Sequence, residues 1–219
     1  MLDLLLPQRC LGCAAAGAQL CGPCVSSLRR IGPPICARCG APTAWPVARC
    51  RECAGRRLAY ASARAAVEYD APVRKIVAAW KEHGLRRMGV LAAEIVVDVL
   101  AAPRADAVAF VPPERDRRLR RGHHAPEVLA RELGARWGLP VAPLLARTRT
   151  GRRQRGLTGP ERRANVRGAF RADRAPPRIL LVDDVYTTGA TVHASASALR
   201  SAGARRVEVV TFARAIRIR

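Results

Sequence analysis

The sequence predicts an α/β protein, a parallel sheet with helices on both faces, preceded by a small metal-dependent module. Three observations carry that expectation. All eight cysteines lie between residues 10 and 53, and residues 54–219 contain none. From Ala59 onward, Ala-, Val- and Leu-rich stretches alternate with polar turns, the texture of strands alternating with helices. The apolar run Ile179 to Val182 ends on two carboxylates and is followed by a Gly-containing turn and a helical stretch, the pattern of a buried parallel strand feeding a helix.

Residues 1–57 are rich in Cys, Gly and Pro, with turn pairs such as Gly22-Pro23 and Pro33-Pro34 and no sustained periodicity. They form one module and residues 58–219 the main domain. Ala63 to Tyr69 reads as a strand. After Pro72, Val73, Ile76, Val77 and Trp80 recur at the spacing of one helix face, and a second helix follows over roughly residues 86–102. Ala107 to Val111 is a short strand stopped by Pro112-Pro113. Ala125 to Trp137 is a helix with Val128, Leu129 and Leu133 inward, ended by Gly138 and Pro140. Residues 146–168 are Arg-rich with several Gly and Pro, which suits a long loop. The last unit is a strand from Ile179 to Asp183, a helix from about Thr191 to Ala202, and a strand from Val207 to Phe212.

The chain has 219 residues with 39 Lys and Arg against 17 Asp and Glu, a formal charge of +22. Only Lys75 and Lys81 are Lys. An Ala- and Arg-heavy composition fits a GC-rich coding bias, but the field exists whatever its origin and favours polyanions as partners. No apolar run approaches the roughly 20 residues of a membrane helix, and Leu2 to Leu6 is too short for a signal-peptide core. A soluble, cytoplasmic protein without membrane insertion is expected.

In reduced surroundings, four C-x-x-C pairs more often hold metal than disulfides. The pairs are Cys10/Cys13, Cys21/Cys24, Cys36/Cys39 and Cys50/Cys53. Each lets two thiolates grip one ion from a tight turn, and eight thiolates suffice for two tetrahedral structural zinc sites. Sequential pairing of the knuckles is simplest, with an interleaved arrangement as the alternative. A thioredoxin-like redox role lacks the βαβ frame it needs.

In the segment Arg178-Ile-Leu-Leu-Val-Asp-Asp-Val-Tyr-Thr-Thr-Gly-Ala-Thr-Val192, each part has a chemical use. A helix N-terminus with free N–H groups, helped by the hydroxyls of Thr187, Thr188 and Thr191, cradles a phosphate, and Gly189 allows close approach. Asp183 and Asp184 are placed to accept hydrogen bonds from sugar hydroxyls at the carboxyl end of a strand. These contiguous residues resemble the phosphoribosyl-pyrophosphate (PRPP) motif of the type I phosphoribosyltransferases. The resemblance implies their Rossmann-like parallel sheet. It assigns Asp183 and Asp184 to the ribose hydroxyls, and Thr187, Thr188, Gly189, Ala190 and Thr191 to the 5′-phosphate. It also implies a Mg²⁺ ion bound with the pyrophosphate. Purine-salvage members carry a third acid where Thr187 stands here, which argues against 6-oxopurine salvage.

That family's second anchor grips pyrophosphate from a loop after an earlier strand, and Arg115, Arg117 and Arg118 are the candidates here. The order of parts narrows the resemblance: the multi-Cys module, Tyr69-Asp-Ala-Pro-Val-Arg-Lys, Trp80-Lys-Glu-His-Gly84, the Val111-Pro loop, Gln154 to Phe170 and the PRPP motif. Together they resemble the ComF (competence protein F, ComFC/GntX) family, which implies PRPP binding and a role in DNA uptake and natural transformation. The DNA-uptake machinery is then an expected partner, and any transferase activity would move phosphoribose to an acceptor with loss of pyrophosphate. Where the family usually continues Arg-Gly-Phe-Asn-Gln, this chain has Arg121-Gly-His-His-Ala125. His123 and His124 are read as capping or phosphate-contacting residues rather than metal ligands. The alternative is a non-catalytic single-stranded nucleic-acid binding factor that uses the zinc module and the Arg-rich loop, with Arg152, Arg153 and Arg155 as contacts.

Overall fold

A computed structural model describes residues 8–83, 85–113, 123–148 and 168–217. Its elements, in chain order, are α1 (Gly22–Ser26), β1 (Ser62–Glu68), α2 (Ala71–His83), α3 (Arg86–Val99), β2 (Ala107–Phe110), α4 (Ala125–Trp137), β3 (Ala146–Arg147), β4 (Phe170–Arg171), β5 (Arg178–Tyr186), α5 (Ala190–Ser201) and β6 (Arg206–Arg214). Four strands form one sheet in the order β1-β6-β5-β2, every neighbouring pair parallel.

The interior strands are apolar on both sides because both sides are covered. Leu180, Val182, Val210 and Phe212 face α2, α3 and α4 through Trp80, Met88, Leu129 and Leu133. Trp80 meets Phe212 edge-on, with ring centroids 6.3 Å apart and planes at 85°. Ile179, Leu181, Val207 and Val209 face the other way and pack on Val192, Ala196 and Leu199 of α5.

The cysteine-rich segment divides between the two faces. Cys10, Leu20 and Leu28 join the core under the three helices, whereas Cys36, Cys39, Cys53, Leu58 and Tyr60 join the core under α5. Residues 29–31 connect the halves by running antiparallel along the open edge of β1. Ile31 N–H donates to the Ala66 carbonyl (2.8 Å) and Glu68 N–H to the Arg29 carbonyl (2.9 Å). An edge strand that would otherwise expose unpaired backbone is thereby covered.

Several boundaries move from their expected places. β5 runs three residues past Asp183, because pairing with β6 continues to Tyr186 opposite Arg214. The second helix stops at Val99, where Leu100 turns extended. A five-residue helix, α1, forms among the cysteines where no periodicity announces it. α4 keeps its expected span and ends at Gly138 in the left-handed conformation (φ 64°), which glycine adopts without a Cβ penalty. No helix among the described residues is long and apolar enough to cross a membrane.

Candidate functional site

The acid pair sits where β5 outruns its neighbour. On one side β5 pairs with β6 throughout, with Asp183 opposite Thr211. On the other, pairing with β2 stops at Val182, whose carbonyl accepts one further bond from Val111 N–H (3.0 Å). The carboxyl end of a parallel strand at such a step is where open α/β sheets take ligands. Both acids are buried. The Asp183 carboxylate accepts a bond from the Asp184 N–H (2.9 Å), and Asp184 forms an ion pair with Lys81 of α2 at 2.7 Å. Burial, reinforced by the neighbouring Asp184 charge, pushes the Asp183 carboxyl up to about 8 against the opposing pull of Lys81 and Arg147. Burial works against the Lys81 ammonium, but the Asp184 charge outweighs it and raises the Lys81 pKa.

The turn that follows is tightly held. Thr188 is buried and its hydroxyl accepts a bond from Ala190 N–H (3.2 Å). Gly189 has φ 71° and is the N-cap residue of α5 without a side-chain cap. A Cβ there would collide with the Tyr186 hydroxyl, so the position requires glycine on both conformational and steric grounds. The first turn of a helix leaves N–H groups without intrahelical acceptors and carries a partial positive charge. Thr187 and Thr191 are half-buried beside them.

The end of the cysteine module and the residues that follow it are bonded to this turn and to the elements on either side of it. Arg56 donates to the Thr188 carbonyl (3.0 Å), and Ala59 N–H donates to His193 Nδ1 (3.1 Å). The Tyr60 and Tyr186 hydroxyls lie 2.7 Å apart. At the end of β6, Arg214 is only 1% exposed, and its guanidinium lies 4.3 Å from the centre of the Tyr186 ring. It donates to the Cys39 carbonyl (2.6 Å), contacts Cys39 Sγ (3.7 Å) and pairs with Glu52 (2.7 Å). Local patterns in the sequence did not single out Lys81, Arg56, Tyr186 or Arg214 for these roles.

The thiols gather as two sets in sequential pairing, Cys10, Cys13, Cys21 and Cys24, then Cys36, Cys39, Cys50 and Cys53, with the sulfurs of each set within 4.8 Å of one another. All eight are free thiols. Thiolates about 2.3 Å from one zinc stand about 3.8 Å apart. Cys10 and Cys13 each lie 3.6 Å from Cys21, and Cys36–Cys53, Cys39–Cys50 and Cys50–Cys53 are 3.6, 3.5 and 4.0 Å apart. The donor sets therefore fit structural zinc. Burial raises the Cys10 thiol, but the N–H groups of Cys13, Cys21 and Gly12 outweigh it and bring it to about 6. Those of Cys39, Cys50 and Arg38 similarly bring Cys36 to about 7. About two zinc ions per chain are expected by elemental analysis. Their removal with a chelator should leave residues 8–57 open to protease, because metal binding supplies folding free energy to such a module.

The two histidines do not cap α4 through their side chains. His124 occupies the N-cap position without a side-chain cap. Instead His123 Nε2 bonds to the Trp80 carbonyl (2.7 Å) and His124 Nε2 to the Val111 carbonyl (2.6 Å). Both carbonyls close elements next to the site, and the rings supply the donors that these carbonyls need. Burial lowers the His124 pKa. Arg115, Arg117 and Arg118, like Arg152, Arg153 and Arg155, lie outside the described residues. The base of the second segment is held by β3 and β4, with Thr148 Oγ1 donating to the Gly168 carbonyl (2.7 Å).

Comparison with known proteins agrees with the two thiol sets. Residues 1–54 match the family described as "Double zinc ribbon domain". The whole chain is similar to Competence protein F of Haemophilus influenzae, at 25% identity over 94% of this chain and 97% of the relative. It is also similar to DNA utilization protein YhgH of Salmonella typhimurium, at 27% identity over 97% and 100%. Competence protein ComFC of Streptococcus pneumoniae is 24% identical over 89% and 87%.

Proposed function

We propose that this ComF-like chain handles DNA during uptake and utilisation, as the names of its relatives suggest, and that it binds PRPP with Mg²⁺ at the end of β5. The observation that carries the second part is the succession of a buried acid pair, a glycine at positive φ and a helix N-terminus. Asp183 and Asp184 accept from the ribose 2′- and 3′-hydroxyls, and the N–H groups and hydroxyls of Thr187 to Thr191 hold the 5′-phosphate. The Lys81–Asp184 pair opens as the ribose binds, which frees the ammonium for the pyrophosphate side. Arg115, Arg117 and Arg118 complete the pyrophosphate grip. A Mg²⁺ ion bound with PRPP would neutralise pyrophosphate charge and would need no protein cage of its own.

Calorimetry with PRPP tests this reading. Binding of one PRPP per chain that requires Mg²⁺ is expected, and no heat at millimolar PRPP with Mg²⁺ present rejects the site. Pyrophosphate release, followed with single-stranded DNA among the acceptors offered, separates a phosphoribosyltransferase from the second reading, a non-catalytic single-stranded nucleic-acid binding factor. The charge of +22 favours that second reading. In it the phosphate site serves a strand backbone, and affinity falls steeply with salt.

A further inference from the structure

We infer that Trp45, on the second zinc ribbon, is the stacking platform of a binding site for single-stranded DNA. The inference rests on the DNA-handling half of the proposed function and not on the PRPP site. Nine aromatic residues occur in the chain. Six are buried (Tyr60, Trp80, Phe110, Phe170, Tyr186 and Phe212), and Tyr69 and Trp137 pack partly buried against the core. Trp45 alone is exposed, at 69%. An indole left in water at a position with no fold to serve is an interaction residue far more often than its surface area would suggest.

The loop that presents it is well ordered by its own hydrogen bonds. It spans the gap between the two cysteine pairs of the second ribbon. Cys36 N–H donates to the Ala41 carbonyl (2.8 Å), Ala37 N–H to Val47 (2.8 Å) and Thr43 N–H to Pro34 (3.0 Å). The Thr43 hydroxyl donates to the Trp45 carbonyl itself (2.8 Å). A platform held this way costs little entropy to use.

Beside Trp45 lies a cavity of about 370 Å³, lined in part by Pro42, Thr43, Val47, Arg49 and Arg51, large enough for one base and its sugar. Arg49 and Arg51 are exposed on its rim. The one carboxylate on its wall, Glu52, is already paired with Arg214 at 2.7 Å, so the mouth presents net positive charge. That charge selects a polyanion. Among polyanions only nucleic acid also offers a π-face to the indole, and only a single strand offers it unstacked.

The test compares oligo(dT) with an abasic oligodeoxynucleotide of the same length, using the full zinc-loaded chain and its Trp45→Ala and Trp45→Phe variants. The wild type should bind oligo(dT) about tenfold more tightly than the abasic strand, the scale of one base–aromatic stack, and oligo(dT) should quench indole fluorescence. Trp45→Ala should lose both the quenching and the preference while keeping its abasic affinity and its salt slope. Trp45→Phe should keep most of the preference. Equal binding of the two strands by the wild type, or unchanged oligo(dT) affinity in Trp45→Ala, overturns the inference and leaves the DNA reading standing on charge alone. Failure to bind either strand at low salt removes both, without touching PRPP binding.

Discussion

Asp183→Asn combined with Asp184→Asn is expected to weaken PRPP binding by about 30- to 2000-fold and to leave the fold intact. The charge-assisted bond from a ribose hydroxyl to Asp184, the carboxylate paired with Lys81, contributes about 1.5–3 kcal/mol, and the bond at Asp183, which holds a proton at neutral pH, about 0.5–1.5 kcal/mol; the two losses together convert to that range. The fold survives because Asn is isosteric, and Asn at 183 keeps an oxygen for the Asp184 N–H bond that now closes at 2.9 Å. Lys81 loses its partner, but its side chain is 36% exposed and turns to water. Unchanged PRPP affinity in a folded double variant would reject the ribose assignment. The same substitution has a signature without ligand. The Asp183 pKa is about 8 in the folded chain against an ordinary 3.8, so the folded state holds a proton that the unfolded chain releases. The stability this group contributes is therefore complete below about pH 4 and is lost as pH rises through 8. Urea unfolding at pH 5, 7 and 9 should show that decline in the wild type and a flatter profile in Asp183→Asn.

Much of the frame was legible because it is written locally. The apolar run from Ile179 to Val182 reads as a strand covered on both faces, as it is. Gly138 ends α4 because its φ of 64° suits glycine. The four C-x-x-C pairs announce two zinc sites whose sequential grouping the sulfur positions bear out. The acid pair and the Thr-Thr-Gly turn stand where a strand meets a helix, as a contiguous motif must.

What stayed hidden depends on contacts between distant parts of the chain. Lys81 reads as one charge on an amphipathic helix until the fold sets it against Asp184. The pair His123-His124 looks like a cap because it precedes a helix. Its rings turn instead to the carbonyls of Trp80 and Val111, which no local pattern places nearby. Trp45 is one aromatic in a chain poor in them, and only the packing of the other eight, six buried and two partly buried, marks it out. The split of the cysteine module between the two faces of the sheet was equally invisible, since spacing gives ligand sets but not what lies beneath them.

That split gives Arg214 its importance. The residue closes β6 in a basic C-terminal run and reads as a surface charge, yet it is 1% exposed and joins the second ribbon to the Tyr186 ring beside the Thr188–Gly189 turn. Its removal leaves the Glu52 carboxylate, whose side chain is 12% exposed, without its cation, and the Cys39 carbonyl without a donor. Breaking a buried ion pair from one side costs about 3–5 kcal/mol. At about 2–4 °C per kcal/mol for a chain of this size, Arg214→Met should lower Tm by on the order of 10 °C. Zinc content should fall from about two toward one, because Cys39 belongs to the second set while the first set lies on the opposite face. Arg214→Lys keeps the charge but not the planar fork that reaches Cys39 and Glu52 together, so it should rescue only part of the loss. Adding Glu52→Gln to Arg214→Met removes the stranded carboxylate and should recover stability, a coupling that a double-mutant cycle measures directly. PRPP affinity should follow the second zinc, since Arg56 and Tyr186 hold the Thr188–Gly189 turn from that side. An Arg214→Met protein with unchanged Tm and two zinc ions would show that the ribbon and the sheet stand independently.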